Sequence, residues 1–266
     1  MKKLSTPYFA YFKMTFKQNT AYRIEWLLGI LNSIIQIFIS IAIWKALYGN
    51  RQTVNGINFS VIVTNFIISL GLSSIFSTND FAIQQKINDG SIANELLKPI
   101  DFRKILLAQT LAQIAFKFLS NFLPTFLTTS LVFGILPPAG IVNFLLYLLS
   151  MLLGFCVLWS LSLIIQMTAF WIINVWSIST IKNVFVKVLA GAALPLYFMP
   201  EPIMKIIRFT PFDSIYHIPL QIYLGNASSE QIILCFLKQI VWIAILYSIS
   251  ILMWNCGSKK IIVQGG

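Results

Sequence analysis

Residues Ile141 to Phe170 read IVNFLLYLLSMLLGFCVLWSLSLIIQMTAF, thirty positions without one charged side chain. As a helix this run would extend about 45 Å at 1.5 Å per residue. The hydrocarbon core of a bilayer is roughly 30 Å thick, so the run is long enough to cross it. Working outward, similar apolar runs recur at Ile24–Tyr48, Ile57–Ser77, Ile105–Gly134, Val184–Phe198 and Gln231–Cys256. The reading is an all-α polytopic membrane protein with about six transmembrane helices. It forms a single transmembrane domain over residues 1–266.

Composition agrees. The chain is 58% hydrophobic and only 10% charged, against roughly 25% charged in soluble domains. A soluble chain of 266 residues could not bury that much apolar surface in one core. The net charge is +11, but the basic residues sit in short segments between apolar runs. They form no basic stripe beside a recognisable motif, so nucleic acid is not expected as a partner. Charge beside spans sets orientation and meets lipid headgroups.

The segments between the runs carry the remaining signals. Residues 1–23 are basic and aromatic: Tyr8, Phe9, Phe12 and Phe16 share one helical face, and Lys13 and Lys17 look elsewhere. That suits an amphipathic helix in the membrane interface. The long apolar stretch behind it, with no small-residue cleavage site, argues against a cleaved signal peptide. Trp26 and Trp44 flank the first span as boundary aromatics do. Pro124 kinks the third span, and Leu136-Pro137-Pro138-Ala139-Gly140 is a turn. Residues 171–187 are mixed and read as an amphipathic link into the fifth span. Five prolines lie between Pro195 and Pro219. One straight helix cannot cover them, so residues 199–230 are expected as an extracellular region with a re-entrant or interfacial helical hairpin before the last span. Residues 78–104, TNDFAIQQKINDGSIANELLKPIDFRK, hold four of the eight acids. With the N-terminus inside, the inner segments carry thirteen Lys and Arg and the outer ones five. The bias places both termini and the 78–104 loop in the cytoplasm.

Catalytic chemistry is missing. There is no G-x-x-x-x-G-K-[ST] phosphate loop. The one histidine, His217, has no partners at metal-ligand or triad spacing. Cys156, Cys235 and Cys256 are far apart and read as apolar packing residues. No catalytic residue, cofactor or metal is expected. Lys117 lies within the third apolar run and reads as a cytoplasmic extension of that helix. No Asp or Glu lies deep in a span, which argues against a proton relay.

Two segments resemble a known family. One is Asp89-Gly90-Ser91-Ile92-Ala93-Asn94-Glu95-Leu96-Leu97-Lys98-Pro99-Ile100. The other is Gly191-Ala192-Ala193-Leu194-Pro195-Leu196-Tyr197-Phe198-Met199-Pro200, followed by Thr210-Pro211-Phe212 and Pro219-Leu220-Gln221-Ile222-Tyr223-Leu224-Gly225. Together they resemble permease subunits of ABC transporters of the type-2 exporter class, in the uncharacterised drug and peptide export branch, over essentially the whole chain. The resemblance implies a bacterial cell membrane and a dimer with a second permease subunit, identical or homologous. It also implies an ABC-type ATPase on a separate chain, which would hold ATP and Mg. The 78–104 loop would couple to that ATPase through Phe81, Ile83, Ile87, Asp89, Gly90, Ile92, Glu95, Leu96, Leu97 and Pro99. A short helix there could lie in a groove of the ATPase and end at Gly90. Pro195, Pro200, Pro211, Phe212 and Pro219 would close the outer end of the path.

Two other readings remain. An ion-gradient-driven secondary transporter or channel would show an inverted repeat or buried acids. An intramembrane enzyme or scaffold would show converging His, Asp, Glu or Cys residues if it were catalytic. The cargo is not legible in the sequence.

Overall fold

The apolar runs fold as helices. The computed structural model describes residues 6–21, 23–76 and 78–260. Lys2, Lys3, Tyr22, Ser77 and the last six residues, which entered the reading of the spans, termini and tail, lie outside them. In chain order the first helices are α1 (Thr6–Ala21) and α2 (Arg23–Tyr48). A two-stranded hairpin follows, β1 (Thr53–Val54) and β2 (Ile57–Asn58), paired antiparallel. Its turn residues Asn55 and Gly56 both have positive φ. Next are α3 (Phe59–Ile75), α4 (Ala82–Asn88), α5 (Ile92–Leu96) and α6 (Phe102–Lys117). A π-helical turn (Phe118–Phe122) leads into α7 (Leu123–Phe133). The rest is α8 (Ile141–Met167), α9 (Trp176–Leu189), α10 (Glu201–Arg208), α11 (His217–Tyr223) and α12 (Ser229–Gly257).

Among the described residues, four helical stretches are long and apolar enough to cross a membrane: Ile24–Tyr48, Phe102–Phe133, Ile141–Phe170 and Ser229–Lys260. Phe59–Ile75 is a shorter apolar helix, buried along most of its length. The surfaces fit a lipid solvent. Leu27, Leu28, Leu31 and Ile35 lie open on α2, and Ile233, Leu234, Leu237 and Val241 on α12. A row of this kind in water would drive aggregation. This is a multi-pass, all-α membrane protein.

The expected fifth span, 184–198, is not one helix. α9 starts earlier, at Trp176, and stops at Leu189. Gly191 then takes a φ of 87°, and a single 3-10 turn covers Leu196–Phe198. The prolines explain the breakage. Pro195 and Pro200 cap the 3-10 turn and α10, and Pro202 lies in the first turn of α10. Pro211 caps a second 3-10 turn (Phe212–Ser214), and Pro219 lies in the first turn of α11. In each place the missing N–H has no intrahelical partner to lose. A proline-rich run therefore folds as a chain of short helices, each started by a proline.

Pro124 acts differently. It sits at the start of α7 and has no N–H to give the carbonyl four residues back. The ladder relaxes through the wider π turn just before it. The 134–140 turn is held from two sides. Leu136 N–H donates to Thr64 Oγ1 of α3 at 3.0 Å. Tyr223 Oη of α11 donates to the Leu136 carbonyl at 2.8 Å, and Ala139 N–H donates back to the Tyr223 carbonyl at 3.0 Å.

The main core surrounds α8. Phe155, Leu158, Leu163 and Met167 pack with Leu72 of α3 and Phe76 just after it, with Ile83 and Ile92 of the loop, and with Ile215 and Leu220 of the broken segment. A second cluster joins α2 and α3 through Ile37, Ile41, Ile62 and Phe66, with Trp44 against Phe198 at 4.6 Å between ring centroids.

Candidate functional site

The 78–104 loop folds onto the bundle. α4 ends at Asn88 with Asp89 as its C-cap, and Gly90 follows with a φ of 73°, a conformation that suits glycine. Asp89 Oδ1 accepts from Ser91 N–H at 2.9 Å, which closes the turn into α5. Its hydrogen bonds with Ser91 hold the exposed Asp89 carboxyl below its ordinary range.

Asp80, just before α4, is the anchor. It is 1% exposed. Its Oδ1 accepts from Thr78 Oγ1 at 3.1 Å and from Ser162 Oγ of α8. Its Oδ2 accepts from Ser179 Oγ and Lys182 Nζ of α9, both at 2.6 Å. A carboxylate offers about four lone-pair sites, and four donors fill them. Gln84 Oε1 accepts from Val175 N–H at 3.2 Å. The start of the loop is thereby bonded to α8 and to α9 together. Sequence reading passed over Asp80 because it lies among polar neighbours. Lys182, Ser162 and Ser179 lie 82 to 102 positions away, and no local spacing reveals them.

A second cluster closes the far end of the loop. Glu95 bonds Lys86 and Lys98, each at 2.9 Å. Burial pushes the Glu95 carboxyl up, but the hydrogen bonds from Lys98 and Lys86 outweigh it and hold it below its usual range. The same contact with Glu95, with Tyr11 Oη behind it, raises Lys98. Lys98 Nζ donates to Tyr11 Oη at 2.9 Å, and Asp101 N–H donates to Tyr8 Oη at 3.2 Å. Thus α1 is stitched to the loop and lies along α6, with Phe16 edge-on to Phe116. Asp101 caps α6 by accepting from Arg103 N–H at 2.9 Å.

The ten residues expected to meet a partner separate into two sets. Ile83, Ile92 and Glu95 are buried against this chain's own core, so their side chains are not free for an outside surface. Phe81 and Ile87 are half-buried against the same core. Asp89, Gly90, Leu96, Leu97 and Pro99 face outward, and Leu97 is 83% exposed. The split follows from helical period: Ile83 and Ile87 share one face, and that face packs against the core.

The broken segment reaches into the bundle. Asn65 Nδ2 of α3 donates to the Gly191 carbonyl at 3.3 Å. Farther along, the 212–215 turn lies on α8. A Cβ at Gly154 would stand 2.8 Å from the carbonyl oxygens of both Ser214 and Ile215. Gln239 of α12 donates to the Ser214 carbonyl at 2.9 Å and to the Ser150 carbonyl at 3.0 Å. Lys238 Nζ meets both oxygens of Asp213, at 2.6 and 2.7 Å. Ser150 lies nine residues into α8 and Lys238 nine residues into α12, about 14 Å along each helix. A non-helical turn at such a position survives because side chains satisfy its backbone. Of the five expected gate residues, Pro195, Pro211 and Pro219 are buried and Pro200 is exposed. Phe212 is partly buried and stacks on Phe185 of α9. Among the described residues, no three His, Cys, Asp or Glu gather where they could hold a metal ion.

Residues 34–265 match the model of a family described as ABC-2 family transporter protein. No curated protein matches the chain.

Proposed function

Because the chain belongs to the ABC-2 transporter family, whose model it matches over most of its length, we propose that this permease is the membrane-spanning half of an ATP-driven exporter. Six crossings would comprise the four long helices, the shorter α3, and the broken 176–198 segment. Both termini and the 78–104 loop would face the cytoplasm, following the thirteen-to-five split of Lys and Arg. ATP and Mg would be held by a separate ATPase subunit. Two permease chains would enclose the path in a bacterial cell membrane.

The observation that carries this reading is the Asp80 clamp. It ties the start of the loop to α8 and to the helix that leads into the proline-broken segment. A push on the exposed tip at Leu96 and Leu97 would reach that segment through bonded neighbours. ATP binding would drive it only by favouring one of two packed states of the permease. The buried acids Asp80 and Asp213 raise the gradient-driven alternative again. Each already faces a lysine at hydrogen-bond distance, so neither is poised as an open proton site.

The test is co-purification with the candidate ATPase and ATP turnover in lipid, comparing the intact chain with Leu96→Asp and Leu97→Asp. Loss of ATPase binding with an intact fold supports the docking tip. Equal binding by the changed chains sinks it and reopens the gradient-driven reading.

A further inference from the structure

A large apolar cavity is lined by none of the residues of either clamp. It has a volume of about 760 Å³, within the range of small-ligand sites, roughly 300–1,000 Å³. One wall is a ladder of rings, Phe118, Phe122 and Phe126, with centroids 5.5 and 5.4 Å apart. Leu72 of α3 and Phe144 and Tyr147 of α8 line the cavity as well. The π turn supplies Phe118 and Phe122, and such turns are frequent at functional sites. Phe122 is fixed by Gly71, where an added Cβ would stand 2.8 Å from its ring.

We propose that this groove holds an acyl chain of a bilayer phospholipid, wedged between α3, α7 and α8. The lining carries no charged side chain, and Tyr147 and Tyr223 bring its only hydroxyls. Of these, the Tyr223 hydroxyl is already donated to the Leu136 carbonyl. Water needs two to four polar partners, and a polar cargo would be left unpaired. The lining runs from Leu111 to Phe126 along α6 and α7, about 22 Å of helix, and the surrounding bilayer supplies hydrocarbon chains along a leaflet about 15 Å deep. The inference rests on the membrane-spanning architecture and not on ATP coupling, so its failure leaves the docking reading standing.

The experiment places a benzophenone amino acid at Phe144 of the full chain, and in a control at Leu131, which is 85% exposed. Both proteins are reconstituted in dioleoyl phosphatidylglycerol vesicles, extracted into detergent, washed, irradiated and weighed intact. The expected result is a phosphatidylglycerol adduct at Phe144 and a detergent adduct at Leu131. Ala115→Trp, which fills the groove from α6, should reduce the Phe144 adduct at least fivefold in monodisperse protein. Leu119→Trp replaces it if that chain fails to fold. A detergent adduct at Phe144, a free oleic acid adduct, a cross-link to a second copy, or an adduct undiminished by the filling residue would each overturn the proposal.

Discussion

Among the described residues, two lysine–carboxylate pairs clamp the proline-broken half of this molecule to its neighbours, and they differ in depth and reach. Asp80 and Lys182 are 2% and 4% exposed in their side chains, whereas Asp213 and Lys238 are 6% and 21% exposed. Asp80 also receives hydroxyls from Thr78, Ser162 and Ser179 and joins the loop, α8 and α9. Asp213 receives Lys238 through both oxygens and joins one turn to one helix. Apolar burial gives helices in lipid little reason to associate, because lipid tails are as apolar as leucine. Position is then set by close packing and polar clamps. The difference between the pairs marks the loop end of the broken segment as rigidly anchored and its inner turn as more lightly held.

The largest effect should follow from Asp80→Ala. It leaves Lys182 buried without its counter-charge and three hydroxyls without their acceptor. Breaking such a pair from one side costs about 3–5 kcal/mol. Asp213→Ala should cost less, about 1–3 kcal/mol, because the more exposed Lys238 can turn toward water or headgroups. Thermal unfolding in one detergent compares them directly. Equal losses would break the distinction. The double change Asp80→Leu with Lys182→Met should recover much of the first loss, since a packed apolar pair can replace a buried ionic one.

Next comes Gly154→Ala, which probes the inner turn from its other side. The atoms its Cβ would meet are backbone carbonyls of Ser214 and Ile215, which have no rotamer to move. A cost of about 1–3 kcal/mol is expected for such overpacking. Gly154 and Asp213 restrain the same turn, so the double variant with Asp213→Ala should lose less than the sum of the two single losses. Strict additivity, read by the same unfolding measurement, would mean that the turn is held elsewhere.

The fold was legible wherever the signal is local. A thirty-residue run without charge announces α8, and the proline cluster announces a break before the last long helix. The loop's short helix ending at Gly90 could be read from Asp89-Gly90-Ser91. What escaped is what depends on distant partners. The length of α9 was missed because its first half is amphipathic and carries Lys182, which lowers its hydropathy while Asp80 makes the charge tolerable inside. The inward face of the loop escaped for a related reason. Ile83 and Ile92 look equally suited to an outside groove and to their own core until the core is seen. The clamps themselves join residues 25 to 102 positions apart, beyond any spacing rule.

The smallest effect belongs to the loop's outer cluster, which sharpens the contrast with Asp80. Lys86 and Lys98 are 23% and 39% exposed in their side chains, so solvent screens much of their attraction to Glu95. Glu95→Gln should cost about 0.5–1 kcal/mol, as part-exposed pairs do. The sign of its pH dependence follows from the lowered carboxyl. The Glu95 contribution is fully present above the unfolded carboxylate value near 4.3 and is lost as pH falls through the lower folded value. Lys98, raised by the same contact, contributes below its unfolded value of about 10.4 and loses that contribution as pH rises through the higher folded value. Amide exchange over residues 82–98, normalised to intrinsic rates, should therefore be flat between about pH 6 and 8 and should quicken below about pH 4. In Glu95→Gln the acid-side change should be smaller, because the Glu95 share of the protonation is gone while that of Asp89 remains. If acid loosens the loop equally in both proteins, the protonation that matters is not that of Glu95, and Asp89, whose carboxyl its bonds with Ser91 also hold low, becomes the group to change next.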